Sequence, residues 1–524
     1  MSVRSKTLLA LAALLFSGLV QGPIFPPLNY YWLHPCALVP GFYVLSVLRG
    51  RRAFFAGWLI GTAAHLSLFY WIAETVTRFA GVSPVLGVLA LLLFAAFEGL
   101  YFGIFGWGLG YLRSTSGAAW PFAAAAWFVT CEFFNPQLFP FYQGVAFYRV
   151  PELFLVSSVT GIFGVTFQVV LCSLLLVAVL EHLLGHGRLN RRAWIGSGLA
   201  VALIFLGTVG ISAWQTERIE AAEARAPTMR IAIVQPNLGV LPRRKLGTIG
   251  SARRHVEQSR AALAKDPEID VFLWSEGALR KAPGDPGNRA VFDFIRESGR
   301  EIWTGARTVE TVDGQDRYFN TAYLLRGDGT VGQRYNKVRL LPFGEYMPFE
   351  DQVPVLRRVP GVSDFEAGDD LLLVDSETPA RTSFLICYEA ILRDFVRTRL
   401  PEQTNLMTNV TFDDWFGDTS CPSQHLMLAA ARSAELGIPL VRAATTGISA
   451  FVDARGVITH QSALFTQENL IADVRPLRVP TFYGAVGDWF AWGATLISLS
   501  LLLLFFVRSL VFSQDVATDS DRRP

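Results

Sequence analysis

Apolar positions follow two different rhythms along the 524-residue chain. Up to about residue 215, and again over 489–507, they run in long stretches almost without charge, whereas between about 216 and 485 short apolar runs alternate with polar ones. Between Lys6 and Arg49 no Asp, Glu, Lys or Arg occurs. Roughly 20 apolar residues cross a bilayer, and Pro23, Pro26 and Pro27 interrupt this run, so it predicts two spanning helices joined by a tight turn. Further spans are predicted near 54–73, 84–110, 116–134, 155–180 and 193–214, making seven before the polar region, with an eighth at 489–507, "WFAWGATLISLSLLLLFFV". The expected division is a seven-helix bundle (1–215), a polar domain (216–485), a returning helix (486–510) and a tail (511–524). The first segment is not followed by a small-residue cleavage site and polar mature sequence, so it is expected to be retained rather than removed as a signal peptide.

In the polar region, "MRIAIVQPN", "DVFLWSEGAL", "REIWTGART", "RYFNTAYLL", "RTSFLICYEA", "TNLMTNVTF" and "PLVRAATTGISAFVD" are rich in β-branched and aromatic residues and bounded by turn chemistry, the signature of strands. Helical patterns cover 249–265 and 423–437, and Gly327–Gly329 and Asp453–Gly456 read as hairpin turns. Strands and helices mixed in this way predict one α/β domain of layered sheets.

Composition agrees with a membrane protein: 51% of residues are hydrophobic, 17% are charged and mean hydropathy is +0.34. A net charge of +2 without a basic stripe offers nothing to nucleic acid. The distribution of charge says more than its total. Arg4, Lys6, Arg49, Arg51, Arg52, Arg113, Arg188, Arg191, Arg192, Arg508, Arg522 and Arg523 fall on one side of the expected spans, against Arg78 and Arg149 on the other. The positive-inside rule then puts both termini in the cytoplasm and the polar domain outside it.

Within the bundle, Glu98 is an intramembrane carboxylate, either a functional group or a hydrogen-bonded packing residue, the latter favoured. The segment 132–152 is rich in aromatics and proline and fits an interfacial, re-entrant or collar element. No internal repeat or pair of broken helices supports a transporter, so chemistry is expected in the polar domain.

There, polar motifs stand at strand ends, where α/β folds gather catalytic groups. "WSEGAL" carries Glu276, "YNKVRLLPFGEYMP" carries Lys337 and Glu345, and "FLICYEAIL" places Cys387 before Tyr388 and Glu389. Singly, such a Cys is most often a core residue, and each charge an ion pair. A thiol with a pKa of about 8.5 needs a base or cation nearby to attack efficiently. A Cys387–Cys421 disulfide is the structural rival, while Cys36, Cys131 and Cys172 read as packing. His255, His425 and His460 are too scattered to form a metal site, leaving a Cys and His pair as a minor alternative.

Taken together with "TNVTFDDWFGD", which contains Trp415, these motifs and the membrane segments resemble the apolipoprotein N-acyltransferases, membrane-embedded members of the nitrilase superfamily, over nearly the whole chain. The resemblance implies an αββα sandwich carrying Glu276 as general base, Lys337 as stabilising cation and Cys387 as nucleophile, with the Tyr388 N–H as a second oxyanion donor. It implies supporting roles for Glu345, Tyr388 and Glu389, and a gating role for Trp415. The reaction implied is acyl transfer from a membrane phospholipid, through a Cys387 thioester, to the α-amine of a diacylglyceryl-cysteine apolipoprotein. No metal or other cofactor is needed. The protein is then expected as a monomer in the bacterial inner membrane, with its catalytic domain periplasmic. A lid is expected over 237–248, where relatives often carry a functional Trp; this chain has none between Trp214 and Trp274. A membrane-tethered amidase using water, and an inactive transporter or scaffold, are the alternatives.

Overall fold

The computed structural model describes residues 2–186, 190–354, 365–369 and 372–520. The chain divides into two compact units, one of residues 1–70, 88–212 and 486–524, the other of residues 71–87 and 213–485. Arg188, Arg522 and Arg523, counted above for orientation, lie outside the described residues.

The first unit is helical. Among the described residues, five helices are long and apolar enough to cross a membrane: Val3–Ile24, Pro84–Thr115, Ile162–Leu183, Arg191–Glu223 and Trp489–Ser509. The other expected spans are interrupted. The second half of the 6–49 run forms three short helices, Tyr31–Leu33, His34–Ala37 and Val39–Val47, the last two each begun by a proline, Pro35 and Pro40. The span expected at 116–134 is a 14-residue helix, Trp120–Phe133, closed before Asn135-Pro136. The span at 54–73 ends as helix Arg51–Leu68, and Trp71–Ala80 is a separate helix belonging to the second unit.

Small residues set how closely these helices pack. A Cβ on Gly57 would lie 2.2 Å from the Phe102 carbonyl oxygen, so helices Arg51–Leu68 and Leu100–Thr115 meet backbone to backbone. Phe42, Phe102, Phe105 and Phe128 fill the core beside them. Glu98 accepts hydrogen bonds from Asn135 Nδ2 (2.8 Å) and the Leu138 N–H (2.9 Å), the packing role favoured from sequence. Glu132 likewise accepts from the Gln143 N–H and the Thr166 hydroxyl, both at 2.8 Å, so the aromatic segment is folded into this unit. Of the three cysteines expected to pack here, Cys131 is buried, whereas Cys36 and Cys172 lie on outward helix faces.

The second unit holds twelve described strands: β1 (Met229–Gln235), β2 (Val271–Trp274), β3 (Glu301–Val312), β4 (Gln315–Leu325), β5 (Val331–Asn336), β6 (Val374–Asp375), β7 (Arg381–Ile386), β8 (Leu406–Thr411), β9 (Leu440–Ala444), β10 (Ala450–Val452), β11 (Ile458–Gln461) and β12 (Glu468–Val474). They form two six-stranded sheets, ordered β12-β1-β2-β3-β4-β5 and β11-β10-β9-β8-β7-β6. In the first, β1, β2 and β3 are parallel; in the second, β7, β8 and β9 are. The period of two along a strand sends alternate residues to opposite faces. Ala232, Val234, Phe272, Trp274 and Ile302 pack under helices Val240–Lys265 and Arg289–Ser298, while Trp303 meets Phe384 of the other sheet edge-on at 6.3 Å. Helix Cys421–Leu436 packs on the second sheet, completing an αββα sandwich. The two predicted hairpins join β4 to β5 and β10 to β11. The strands missing from the sequence reading are β5, β6, β11 and β12, short or largely polar segments that lie at or near sheet edges.

Candidate active site

The carboxyl ends of β2, β5 and β7 bring Glu276, Lys337 and Cys387 into one buried centre, where Glu276 and Lys337 act on each other and both act on Cys387. Glu276 follows β2 by two residues, and a Cβ on Gly305 would lie 2.7 Å from its Cα, so glycine is what lets β3 pass. Lys337 follows β5 directly, its N–H donating to the Asn320 carbonyl at 2.8 Å.

One hydrogen-bonded chain links the charges. Asn320 Nδ2, from β4, donates to Glu276 Oε1 at 2.6 Å and to Glu345 Oε1 at 2.9 Å. Glu345 Oε2 lies 2.6 Å from Lys337 Nζ and also accepts the Leu341 N–H at 2.8 Å. Burial raises the Glu276 pKa to about 7, Lys337 opposing and Glu345 adding to the shift. Its second oxygen, Oε2, is buried without a hydrogen-bond partner among the described residues, poised to take a proton. For Lys337, burial works against the ammonium, but Glu345, then Cys387, Glu276 and Glu389, raise its pKa above the ordinary range. It is a fixed positive charge.

Cys387 is buried and carries a backbone φ of +52°, rare outside glycine. Burial, then Glu276, push its thiol up to about 12 despite Lys337. A thiol held this high carries its proton at rest, so any attack by it requires a partner to take that proton.

Glu389 ties the Lys337 loop to the Cys387 turn. Its Oε1 accepts from the Tyr335 hydroxyl (2.6 Å) and the N–H groups of Val338 (2.8 Å) and Arg339 (2.9 Å), while Oε2 accepts the Ile386 N–H (2.7 Å). Burial raises its pKa, these donors and Lys337 opposing. Tyr388 is buried beside it. Trp415, on the one-turn helix Asp414–Phe416, is partly exposed and packs edge-on against Phe412 at 5.6 Å.

A second buried network supports the Cys387 turn, and the sequence reading missed most of it. His425 Nε2 faces the Cys387 carbonyl at 3.2 Å and its Nδ1 faces Asp413 Oδ1 at 3.2 Å. Asp413 Oδ2 accepts from Arg442 at 2.7 Å; Arg442 also donates to Asn409, whose Nδ2 bonds the Leu385 carbonyl at 2.8 Å. Burial works against the Asp413 carboxylate, yet Arg442 and then His425 hold its pKa below the usual range, and burial and Arg442 lower that of His425. The available signals were a lone Asn in apolar β8 and an Asp at its end. All five cysteines are free, so the Cys387–Cys421 disulfide does not form. Among the described residues, no group of three or more His, Cys, Asp or Glu side chains could hold a metal ion.

The expected lid is largely helical. The helix begins at Val240, whose N–H donates to Asp414 Oδ2 at 2.9 Å, and is kinked at Gly247, where φ is +65°. Without a Trp, the segment instead brings Arg243 to the centre: it lies over the Phe412 ring and donates to the Gly277 carbonyl.

Residues 17–175 match the family profile of the apolipoprotein N-acyltransferase N-terminal domain, and residues 230–480 match that of carbon-nitrogen hydrolases. The apolipoprotein N-acyltransferase of Geobacter metallireducens is 28% identical over 95% of both chains. That of Brucella melitensis biotype 1 is 31% identical over 85% of this chain and 84% of its own. Among solved structures, a carbon-nitrogen hydrolase from Helicobacter pylori G27 superposes with a TM-score of 0.37 at 14% identity, covering 47% of this chain and 89% of that one. With its bundle and sandwich each matched in turn, and relatives aligned along most of its length, the chain belongs to the apolipoprotein N-acyltransferase family.

Proposed function

We propose that the protein transfers a fatty acyl chain from a membrane phospholipid to the α-amine of a diacylglyceryl-cysteine apolipoprotein, by way of a thioester on Cys387. The observation that carries this reading is the chain Glu276–Asn320–Glu345–Lys337 closing on a buried thiol. In the first half-reaction the Cys387 sulfur attacks the ester carbonyl carbon while its proton passes to Glu276. Lys337 Nζ and the Tyr388 N–H hold the oxyanion. Collapse breaks the bond to the glycerol oxygen, which takes the proton from Glu276 and leaves as lysophospholipid. In the second, the α-amine attacks the thioester, its proton goes to Glu276, and the sulfur leaves and is reprotonated. With a pKa of about 8 the amine is neutral in an appreciable fraction near neutral pH, and that neutral form has one proton to give to Glu276 on the way to an amide. Every step is proton movement and acyl exchange, within reach of these side chains without a metal or other cofactor.

Five helices long and apolar enough to span support a membrane site for both substrates. The fuller topology belongs to this proposal: eight crossings including the interrupted segments, both termini cytoplasmic, and a monomer whose catalytic domain over 216–485 is periplasmic at the bacterial inner membrane. Trp415 gates lipid access in this reading, Glu345 holds Lys337, and Tyr388 and Glu389 shape the nucleophile turn. A water-using amidase and an inactive scaffold are the rivals, and the intact centre disfavours the second. Intact-protein mass spectrometry tests all three. Incubation with phospholipid is expected to add one acyl mass at Cys387, which a diacylglyceryl-cysteine peptide removes; acylation of Cys387→Ala would overturn the mechanism.

A further inference from the structure

Two guanidinium groups stand beside the catalytic centre with no ion pair to a carboxylate among the described residues. Arg243 is half-buried in the first turn of helix Val240–Lys265, stacked over Phe412 at 4.8 Å and bonded through Nη2 to the Gly277 carbonyl, next in chain to Glu276. Gly277 has a φ of +56°, and a Cβ there would lie 2.9 Å from Arg243 Nη2, so glycine makes room for the contact. Arg280, also half-buried, donates Nη1 to the Arg243 carbonyl at 3.1 Å. Among the described residues neither arginine forms an ion pair, in contrast to Arg442, which pairs with Asp413 at 2.7 Å. Crowding by protein atoms, and then the like charge of Arg280, pull the Arg243 pKa down to about 10; Glu276 and Asp414 pull the other way from beyond ion-pair distance. Two cations held together in this way cost stability unless an anion joins them.

We propose that Arg243 and Arg280 form a subsite for the phosphodiester of the acyl-donor lipid. The proposal rests on the acyl-transfer reading above. The planar guanidinium fork matches phosphate oxygens in geometry as well as charge. A phosphate held beside Gly277 sits next to Glu276, and the glycerol that joins phosphate to ester leads towards Cys387. The acceptor, a diacylglyceryl-cysteine, has no phosphate. The pair therefore distinguishes the donor from the acceptor at a centre that must admit both in turn, and adds headgroup recognition to a lid that lacks Trp.

The test uses the full-length protein in detergent micelles and follows acyl-Cys387 by mass spectrometry in a single turnover. Arg243→Gln and Arg280→Gln are each expected to slow loading from phosphatidylethanolamine about 10- to 100-fold, the range for losing a charged hydrogen bond, through a higher half-saturating lipid concentration. Loading from phosphate-free diacylglycerol, and discharge of preloaded enzyme to a diacylglyceryl-cysteine peptide, are expected to match wild type. Arg243→Lys and Arg280→Lys should recover part of the phospholipid loading, which a folding defect would not allow. Equal slowing with both donors, or unchanged phospholipid loading, would overturn the subsite. So would inorganic phosphate raising the melting temperature of wild type but not of the variants while loading stays unaffected, since the site would then take free phosphate alone. If wild type forms no acyl-Cys387 from either donor, the acyl-transfer reading itself falls.

Discussion

Glu345 Oε2 lies 2.6 Å from Lys337 Nζ, and both side chains are withdrawn from solvent. Removing the charge of one partner leaves the other buried alone, which typically costs ~3–5 kcal/mol. Glu345→Gln is therefore expected to lower the melting temperature and to reduce the acylation burst at Cys387 by about 100-fold or more, the scale of losing an electrostatic contact to an oxyanion. A variant that unfolds normally and acylates at the wild-type rate would show that Lys337 needs no partner.

In the proposed reaction Glu276, with a pKa raised to about 7, accepts the thiol proton only when ionised. Acylation by wild type should rise with pH through a midpoint near 7, and Glu276→Gln should abolish that rise along with most of the rate. Linkage gives a second, independent readout. Between the ordinary value of 4.5 and about 7 the unfolded chain releases this proton while the folded protein keeps it, so the contribution of Glu276 to stability falls as pH rises across that window. Glu276→Gln should therefore gain on wild type in melting temperature between pH 4 and pH 8.

Glu389 gathers four donors from two chain segments. Glu389→Ala strands the buried Ile386 N–H, at ~1–3 kcal/mol, and takes an acceptor from the partly buried Val338 and Arg339 N–H groups, so it should lose both stability and acylation. Cys387→Ala should lose only acylation. Thermal unfolding of the pair in parallel separates anchoring from chemistry.

His425 faces the Cys387 carbonyl and Asp413, and in the proposed reaction it is not the thiol's base. His425→Gln is expected to slow acylation about 10-fold, the order of one neutral hydrogen bond, while leaving the pH midpoint near 7. A shifted midpoint would mean that His425 shares the proton.

The legible part of the site was the part carried by short motifs. Glu276, Lys337 and Cys387 each end a strand-like run, and Glu345 follows Lys337 closely enough for a loop to fold one onto the other. Asn320, Asn409 and Arg442 were not legible, because each sits within a strand and acquires its partners only when sheets assemble from distant segments. His425 was visible as one of three scattered histidines but could not be placed, since sequence cannot say which atom a ring nitrogen will face. The strands with the longest buried apolar runs were found and the edge strands were not. Apolar composition predicted seven spans in the bundle and an eighth after the polar domain, but Pro35 and Pro40 act on backbone hydrogen bonds and divide a segment that hydropathy alone joins. The lid's Arg243 sat in view in "LPRRKLG", yet its seat depends on Gly277, 34 residues away.

The left-handed backbone at Cys387 bears on how a dead enzyme should be made. A non-glycine residue at φ +52° holds on the order of 1–3 kcal/mol of strain, opposed here by bonds to its own carbonyl and to the preceding N–H. Alanine keeps that strain, and a β-branched residue would worsen it. Glycine relieves it while removing the sulfur. Cys387→Gly is thus the variant of choice for trapping an intact donor lipid for crystallography, with the added use that the space left by the side chain is free for a small exogenous thiol to enter and restore chemistry on demand.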